Sequence, residues 1–300
     1  MIIHDVEPSF SRHRFVIATA GYETRSTAVV RAGLAANGIA LTYSASALSE
    51  RHAKNLAFYE SAGWAVVSEE IGMAQLSAEL SSGLDTLVVD YSSMPRRVIA
   101  QILQRLNACS HAVDVTFLYF EPTFRSSEAA AMQAVNLTAG PVLTNLSGDA
   151  RPLGLPVGLV LGLGMERHRG LGVVELLEPE RTWALVAESS DPSFADAATA
   201  NHAPLFGEVD AVSLLSYPLE SVSRSYAMLL SLITSASADF RVALVPSGPK
   251  PLALAAMLAA QDYSGPRPAV WRVGAQSTGA PSDVQESGGV VAVNVLFERE

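Results

Sequence analysis

The chain writes one pattern twice. The apolar, strand-like run Phe15-Val16-Ile17-Ala18 leads into Gly21-Tyr22-Glu23-Thr24-Arg25, and Gly158-Leu159-Val160-Leu161 leads into Gly164-Met165-Glu166-Arg167-His168-Arg169. Both read as strand, glycine, acid, basic residues, helix. A second pair follows in the same order. Val88-Val89-Asp90-Tyr91-Ser92-Ser93-Met94-Pro95-Arg96-Arg97 has its counterpart in Leu244-Val245-Pro246-Ser247-Gly248-Pro249-Lys250-Pro251. Two strand-turn-helix corners recurring in order predict a duplicated α/β unit. The equivalent loops are expected to face each other across a pseudo-twofold axis, a setting suited to a ligand with its own internal symmetry.

The strand candidates support this. They fall near 14–19, 39–45, 63–68, 86–90 and 113–120, then near 157–163, 182–188, 210–216, 241–246 and 269–273. Most are continuous apolar runs with little alternation, as in a parallel sheet covered on both faces. Helical patterns stand between them near 24–36, 48–61, 73–82, 95–108 and 126–134. The order βαβαβ predicts doubly wound, Rossmann-like sheets. Turn residues cluster in 136–156, at Gly140-Pro141, Ser147-Gly148-Asp149, Pro152 and Pro156. The expected organisation is therefore a first Rossmann-like unit over 1–135, a linker over 136–156 and a second unit over 157–300. Ser216 is expected to cap a helix with Pro218 in its first turn. Residues 274–289 read as a loop, and Val290 to Phe297 as a final edge strand.

Composition bounds the function. A hydrophobic share of 49% over 300 residues is ample for a core. The net charge of −10 argues against duplex nucleic acid and membrane surfaces, which need broad basic fields. The single cysteine, Cys109, excludes an intramolecular disulfide and a cysteine-rich zinc site, and the six histidines show no metal-ligand spacing. Neither a signal segment nor a bilayer-length apolar run is visible, so a cytoplasmic protein is expected.

Against this acidic background the loops beyond the strand ends concentrate cations: Arg25, Arg96, Arg97, Arg167, Arg169 and Lys250, one of only two lysines. Helices starting there add free N–H groups and a positive dipole end. An anionic, phosphate-bearing ligand is the simplest expectation. The competing reading is that the arginines are solvated or pair with Glu23, Glu166 and Asp90. Glu23 and Glu166, each just past a strand, suit either a ribose hydroxyl or general acid-base work, or else a plain ion pair. Tyr22, Tyr91 and Met94 sit at the same corners, where the tyrosines would stack a base or all three would plug the core. No Walker A spacing, dinucleotide fingerprint or nucleophile elbow is present.

The run from Val242 to Ala255 is the sharpest local signal: a buried strand, the small turn Ser247-Gly248, and Lys250 opening an Ala/Leu-rich helix. It resembles the strand-to-helix signature of CARF domains, Rossmann-fold sensors of oligoadenylates, though Pro249 stands where that family usually has a small hydroxyl residue. The duplicated layout is similar to SAVED domains, which look like two fused CARF units. The resemblance implies ligand contacts from Ser247, Gly248 and Lys250, with Ser92, Ser93 and Arg96 as first-half counterparts. Gly21, Tyr22, Glu23, Arg25, Gly164, Glu166 and Arg167 complete the expected binding set.

The expectation is thus a sensor of a nucleotide second messenger, in prokaryotic antiviral defence, with no cofactor or metal. No effector module is recognisable, so the signal would pass to a partner protein; an oligomer is possible. Two alternatives stay open. One is a nucleotide-processing enzyme, cleaving an oligonucleotide or an N-glycosidic bond with Glu23 or Glu166 as acid/base. The other is a non-catalytic scaffold subunit.

Overall fold

The structure is a computed structural model. It describes residues 1–8, 15–34, 38–42, 49–123, 137–149, 154–188, 192–208, 212–275 and 283–298. In chain order the strands are β1 (Ile2–Asp5), β2 (Phe15–Thr19), β3 (Ile39–Thr42), β4 (Ala65–Ser68), β5 (Thr86–Asp90), β6 (Val113–Pro122) and β7 (Leu137–Pro141). They continue with β8 (Val157–Gly162), β9 (Arg181–Glu188), β10 (Val212–Pro218), β11 (Arg241–Pro246), β12 (Ala269–Ala275) and β13 (Glu286–Phe297). The helices are α1 (Ala28–Arg31), α2 (Glu50–Ser61), α3 (Glu69–Ser81), α4 (Arg96–Ala108) and α5 (Arg169–Leu177). After them come α6 (Pro192–Asn201), α7 (Ala203–Glu208), α8 (Val222–Ala236) and α9 (Lys250–Asp262). The helix expected near 126–134 lies outside the described residues.

The chain divides into two compact units. Unit 1 comprises Met1–Thr123 and Gly279–Glu300; unit 2 comprises Phe124–Thr278. Unit 1 is built on a sheet ordered β1-β13-β6-β5-β2-β3-β4, parallel from β6 to β4, with β13 antiparallel to both β6 and β1. Unit 2 is ordered β10-β9-β8-β11-β12-β7, parallel except for β7 on β12. Counted within each unit, the five parallel strands run 3-2-1-4-5 in both, which is the Rossmann order. The fold is therefore α/β with two Rossmann-like, parallel-dominated units, as the sequence predicts.

Chemistry explains the elements simply. The central strands carry unbroken apolar runs through their middles because both faces are covered: Leu87, Val88 and Val89 of β5 and Leu159, Val160 and Leu161 of β8 are all buried. In α4 the buried positions Val98, Ile99, Ile102, Leu103 and Leu106 make one helical stripe. In α9 every residue from Pro251 to Ala260 is buried, which the unbroken Ala/Leu composition allows.

Three expectations change. The final strand is not an edge of the second unit. β13 lies between β6 and β1, and Val293 and Val295 are fully buried there. The expected linker also contributes: β7 completes the sheet of unit 2 by pairing Trp271 with Pro141. Each unit's fifth strand is thus flanked by a strand from the far side of the chain. Finally, Ser216 and Pro218 belong to β10, an edge strand, where a proline does not remove a ladder bond from the centre of a sheet. Ser221 caps α8 instead, accepting from the Arg224 N–H at 3.2 Å.

Candidate functional site

Open parallel sheets bind ligands beyond the carboxyl ends of their strands, where the strand order reverses. That point lies between β2 and β5 in unit 1 and between β8 and β11 in unit 2. The four loops singled out in the sequence are the four that leave these strands, and in each unit the two loops touch. A Cβ on Gly21 would stand 2.9 Å from Cβ of Ser93. A Cβ on Gly164 would stand 2.9 Å from the Ser247 carbonyl oxygen, and one on Gly248 equally close to that of Leu163. Glycine is needed at these positions for close approach of one loop to the other.

In unit 1 the polar groups of the site bond to one another. Arg25 is 5% exposed. Its Nε donates to the Glu23 carboxylate at 2.6 Å, its Nη1 to the Phe120 carbonyl at 3.0 Å, and its guanidinium lies 5.2 Å from the centre of the Tyr119 ring. Burial works against the charge, but Tyr119 and Glu23 outweigh it and raise the Arg25 pKa above its ordinary value. Ser93 Oγ donates to Glu23 at 3.2 Å. Ser92 is fully buried; its hydroxyl donates to Asp90 and accepts from the Phe120 N–H. At the start of the 3-10 turn Thr24–Thr27, the Thr24 N–H and Oγ1 donate to the carboxylate of Asp283, which also accepts from Arg51. The position where a helix start receives an anion is filled by the protein's own carboxylate. Tyr91 and Met94 are fully buried and plug the core, Tyr91 stacking on Tyr119, so neither is placed to meet a base. Tyr22 is half-buried, 4.9 Å from the His52 ring. Arg96 is half-buried at the start of α4, and the exposed Arg97 pairs with Glu69.

Unit 2 repeats the ion pair: Glu166 meets Arg169 Nη1 at 2.8 Å. Arg167 is exposed and its Nε donates to Asn201 Oδ1 at 3.2 Å. The fourth-strand corner differs from that of unit 1. Ser247 Oγ is buried and has no hydrogen-bond partner among the described residues. Lys250 is half-buried in the first turn of α9, two residues beyond Gly248. His168 adopts a left-handed conformation at φ 60°, which turns the chain into α5.

The structure also brings in residues that sequence reasoning missed. In unit 1, Asn55 Nδ2 donates to the carbonyls of Gly21 and Glu23, each at 2.9 Å, and the buried His52 stands beside it on α2. In unit 2, Asn201 Nδ2 donates to the Met165 carbonyl at 2.8 Å, and Nε2 of the buried His202 lies 3.2 Å from the Gly164 carbonyl. An Asn–His pair from the segment after the second parallel strand braces the glycine-acid loop in both units. Burial lowers the pKa of His52 and of His202, so both are neutral near pH 7. The available signal was polar residues on a buried face: His52, Asn55 and Tyr59 form the buried stripe of α2.

Among the described residues no group of three or more His, Cys, Asp or Glu side chains could hold a metal, and no helix is long and apolar enough to cross a membrane. Cys109 caps the end of α4, buried, with its sulfur 3.3 Å from His111 Nδ1. No family model and no curated protein matches the sequence. Among solved structures, the binary complex of leucoanthocyanidin reductase with NADPH from Vitis vinifera is similar at a TM-score of 0.26 and 9% identity, over 85% of this chain and 92% of that one. A likeness at that level carries no argument about activity.

Proposed function

We propose that this protein binds a phosphate-bearing nucleotide, as a second-messenger sensor, at the carboxyl end of the unit 2 sheet. The observation that carries this reading is the fourth-strand corner of that unit. There a buried hydroxyl without a partner among the described residues, Ser247 Oγ, stands at a glycine turn that leads into a helix opened by a lysine. The positive dipole end of a helix, a small turn and a cation form a combination that suits phosphate. Glu166, paired with Arg169, lies across the turn from Ser247 and suits a ribose hydroxyl. The resemblance to CARF and SAVED domains rests on the same residues, and the defence role and partner effector rest on that resemblance alone.

The test is calorimetry of the full chain with a panel of cyclic and linear oligonucleotides and mononucleotides, with each ligand recovered for mass analysis. Saturable binding that weakens at least tenfold in Lys250→Ala and in Ser247→Ala, with the ligand recovered intact, is the expected result. Recovery of cleaved ligand would move the function to a nucleotide-processing enzyme. Absence of binding across the panel would remove the sensor reading.

A further inference from the structure

An open sheet ends in edge strands whose outer N–H and C=O groups lack a strand partner, and proteins blunt such edges with shortness, charge, proline or a bulge. Three edges of the two described sheets are blunted or short. β1 and β4 have four residues each, and β1 carries Asp5. β7 ends in Gly140-Pro141. The fourth edge, β10, has neither device along its length. Its seven residues, Val212-Ser213-Leu214-Leu215-Ser216-Tyr217-Pro218, include no charge, and the proline stands only at the end. They pair with β9 in unbroken register, without a bulge. Leu214 is 50% exposed and Leu215 36%, so an apolar pair stands in solvent in the middle of the strand.

The outward row can be read residue by residue. The Leu219 N–H donates to the Glu188 carbonyl at the end of β9. Main-chain groups of successive strand residues point to alternate sides. Ser213, Leu215 and Tyr217 therefore face β9, and Val212, Leu214 and Ser216 direct their N–H and C=O groups away from it. This row is symmetric about Leu214. In antiparallel pairing with a second copy, Leu214 lies opposite its own counterpart and Val212 lies opposite Ser216. Every outward N–H from 212 to 216 then meets an outward C=O. Pro218, which has no N–H, falls outside the paired stretch. Charge favours the same occupant. A chain of net charge −10 repels a second copy of itself, and the contact least opposed is one without charged side chains. Pairing β10 with a different edge of the second copy would need another long, uncharged edge, which the described sheets lack.

We propose that β10 is a homodimer interface, in which two copies of the chain join their unit 2 sheets edge to edge across a twofold axis at Leu214. The contact is isologous and closes on itself, so it gives a dimer and not a filament. It is independent of the nucleotide reading, since it uses no residue of the Ser247–Lys250 corner.

Sedimentation velocity of the full chain from about 1 to 100 μM, the range of a small interface, tests this, with circular dichroism to confirm folding. The wild type is expected to pass from the 31.7 kDa monomer to a dimer as concentration rises. Leu214→Lys and Leu214→Glu each place like charges opposite one another at the twofold and should weaken the dimer at least about tenfold. An equimolar mixture of the two variants sets lysine against glutamate and should recover the dimer. A wild type that stays monomeric throughout would overturn the proposal. So would a dimer that folded Leu214→Lys leaves unchanged, or a mixture that dimerises no better than either variant alone.

Discussion

The two units share one topology and differ in what their switch-point groups are bonded to. In unit 1 the arginine, the glutamate, both serines and the helix start are matched to one another and to Asp283, so the corner is a closed network. In unit 2 the glutamate-arginine pair and the Asn–His brace are retained, but the serine of the fourth-strand corner has no hydrogen-bond partner among the described residues. A duplicated fold conserves the geometry of a loop more readily than the use of its side chains. The resemblance of motif between the halves marks equivalent places and does not by itself mark equivalent sites.

The largest expected difference between the units comes from removing β13. A chain ending at residue 278 lacks the strand that covers β6, whose Val113, Val115 and Phe117 are fully buried. Unit 1 is expected to lose its cooperative unfolding transition and its amide protection, while residues 124–278, which hold every described strand of unit 2, keep theirs. Hydrogen exchange on the truncated chain checks this, and protected β5 and β6 amides would break the comparison.

Next in size is the ion pair. Arg25→Met leaves the Glu23 carboxylate in a largely buried network without its cation and should destabilise unit 1 by about 3 kcal/mol. Arg169→Met removes a pair whose glutamate side chain is 37% exposed and should cost at most ~1 kcal/mol. Denaturant midpoints of the two variants, read against wild type, give the ratio; equal losses would mean that the corners are equally closed. The serines should separate in the same direction. Ser92→Ala removes the hydroxyl that donates to Asp90 and accepts from the Phe120 N–H, and should cost about 1–3 kcal/mol. Ser247→Ala removes a hydroxyl with no partner among the described residues and should shift stability by no more than ~0.5 kcal/mol.

The smallest effect should be shared. His52 and His202 have pKa values below the ordinary 6.5, chiefly through burial. As pH falls past 6.5 the unfolded chain takes up protons that the folded chain does not, so stability should decline from about pH 6.5 downward. Burial opposes but does not cancel the Thr24 hydrogen bonds that lower the Asp283 pKa, and the Arg31 bond lowers that of Glu286. Both therefore contribute only as pH drops through the ordinary carboxylate range of roughly 4 and below, leaving the interval from pH 5 to 6.5 to the histidines. His52→Gln and His202→Gln should each flatten the stability profile in that interval. A profile unaffected by either would show that neither histidine is held neutral.

Much of the fold was legible because parallel strands covered on both faces carry short apolar runs, as in Val88-Val89 and Leu159-Val160-Leu161, and these recur between helical patterns. The placement of β13 was not legible. Its residues look equally apolar, and sequential strands usually lie together, so Val290 to Phe297 reads as a neighbour of β12. Nothing local in those residues specifies β6 as the partner. At the candidate sites, the positions of Glu23, Ser93, Glu166 and Ser247 followed from the strand ends. The Glu23–Arg25 and Glu166–Arg169 pairs were among the readings the sequence left open. The longer-range bonds were not legible, because Arg25 with Phe120 and Thr24 with Asp283 join residues far apart in the chain. The Asn–His braces were hidden for the same reason: Asn55 acts on main-chain carbonyls, which carry no sequence identity.

The pairing of Val113 with Phe297 also sets an order of events during synthesis. The five parallel strands of unit 1 emerge first, yet the edge of β6 stays uncovered until β13 leaves the ribosome. Unit 2, whose described strands all lie between residues 137 and 275, can close before that happens. The carboxyl-terminal unit is therefore the first to be completed, and the amino-terminal one waits with an open apolar edge. That inversion leaves unit 1 with an unpaired strand edge, a template for aggregation, for longer than unit 2.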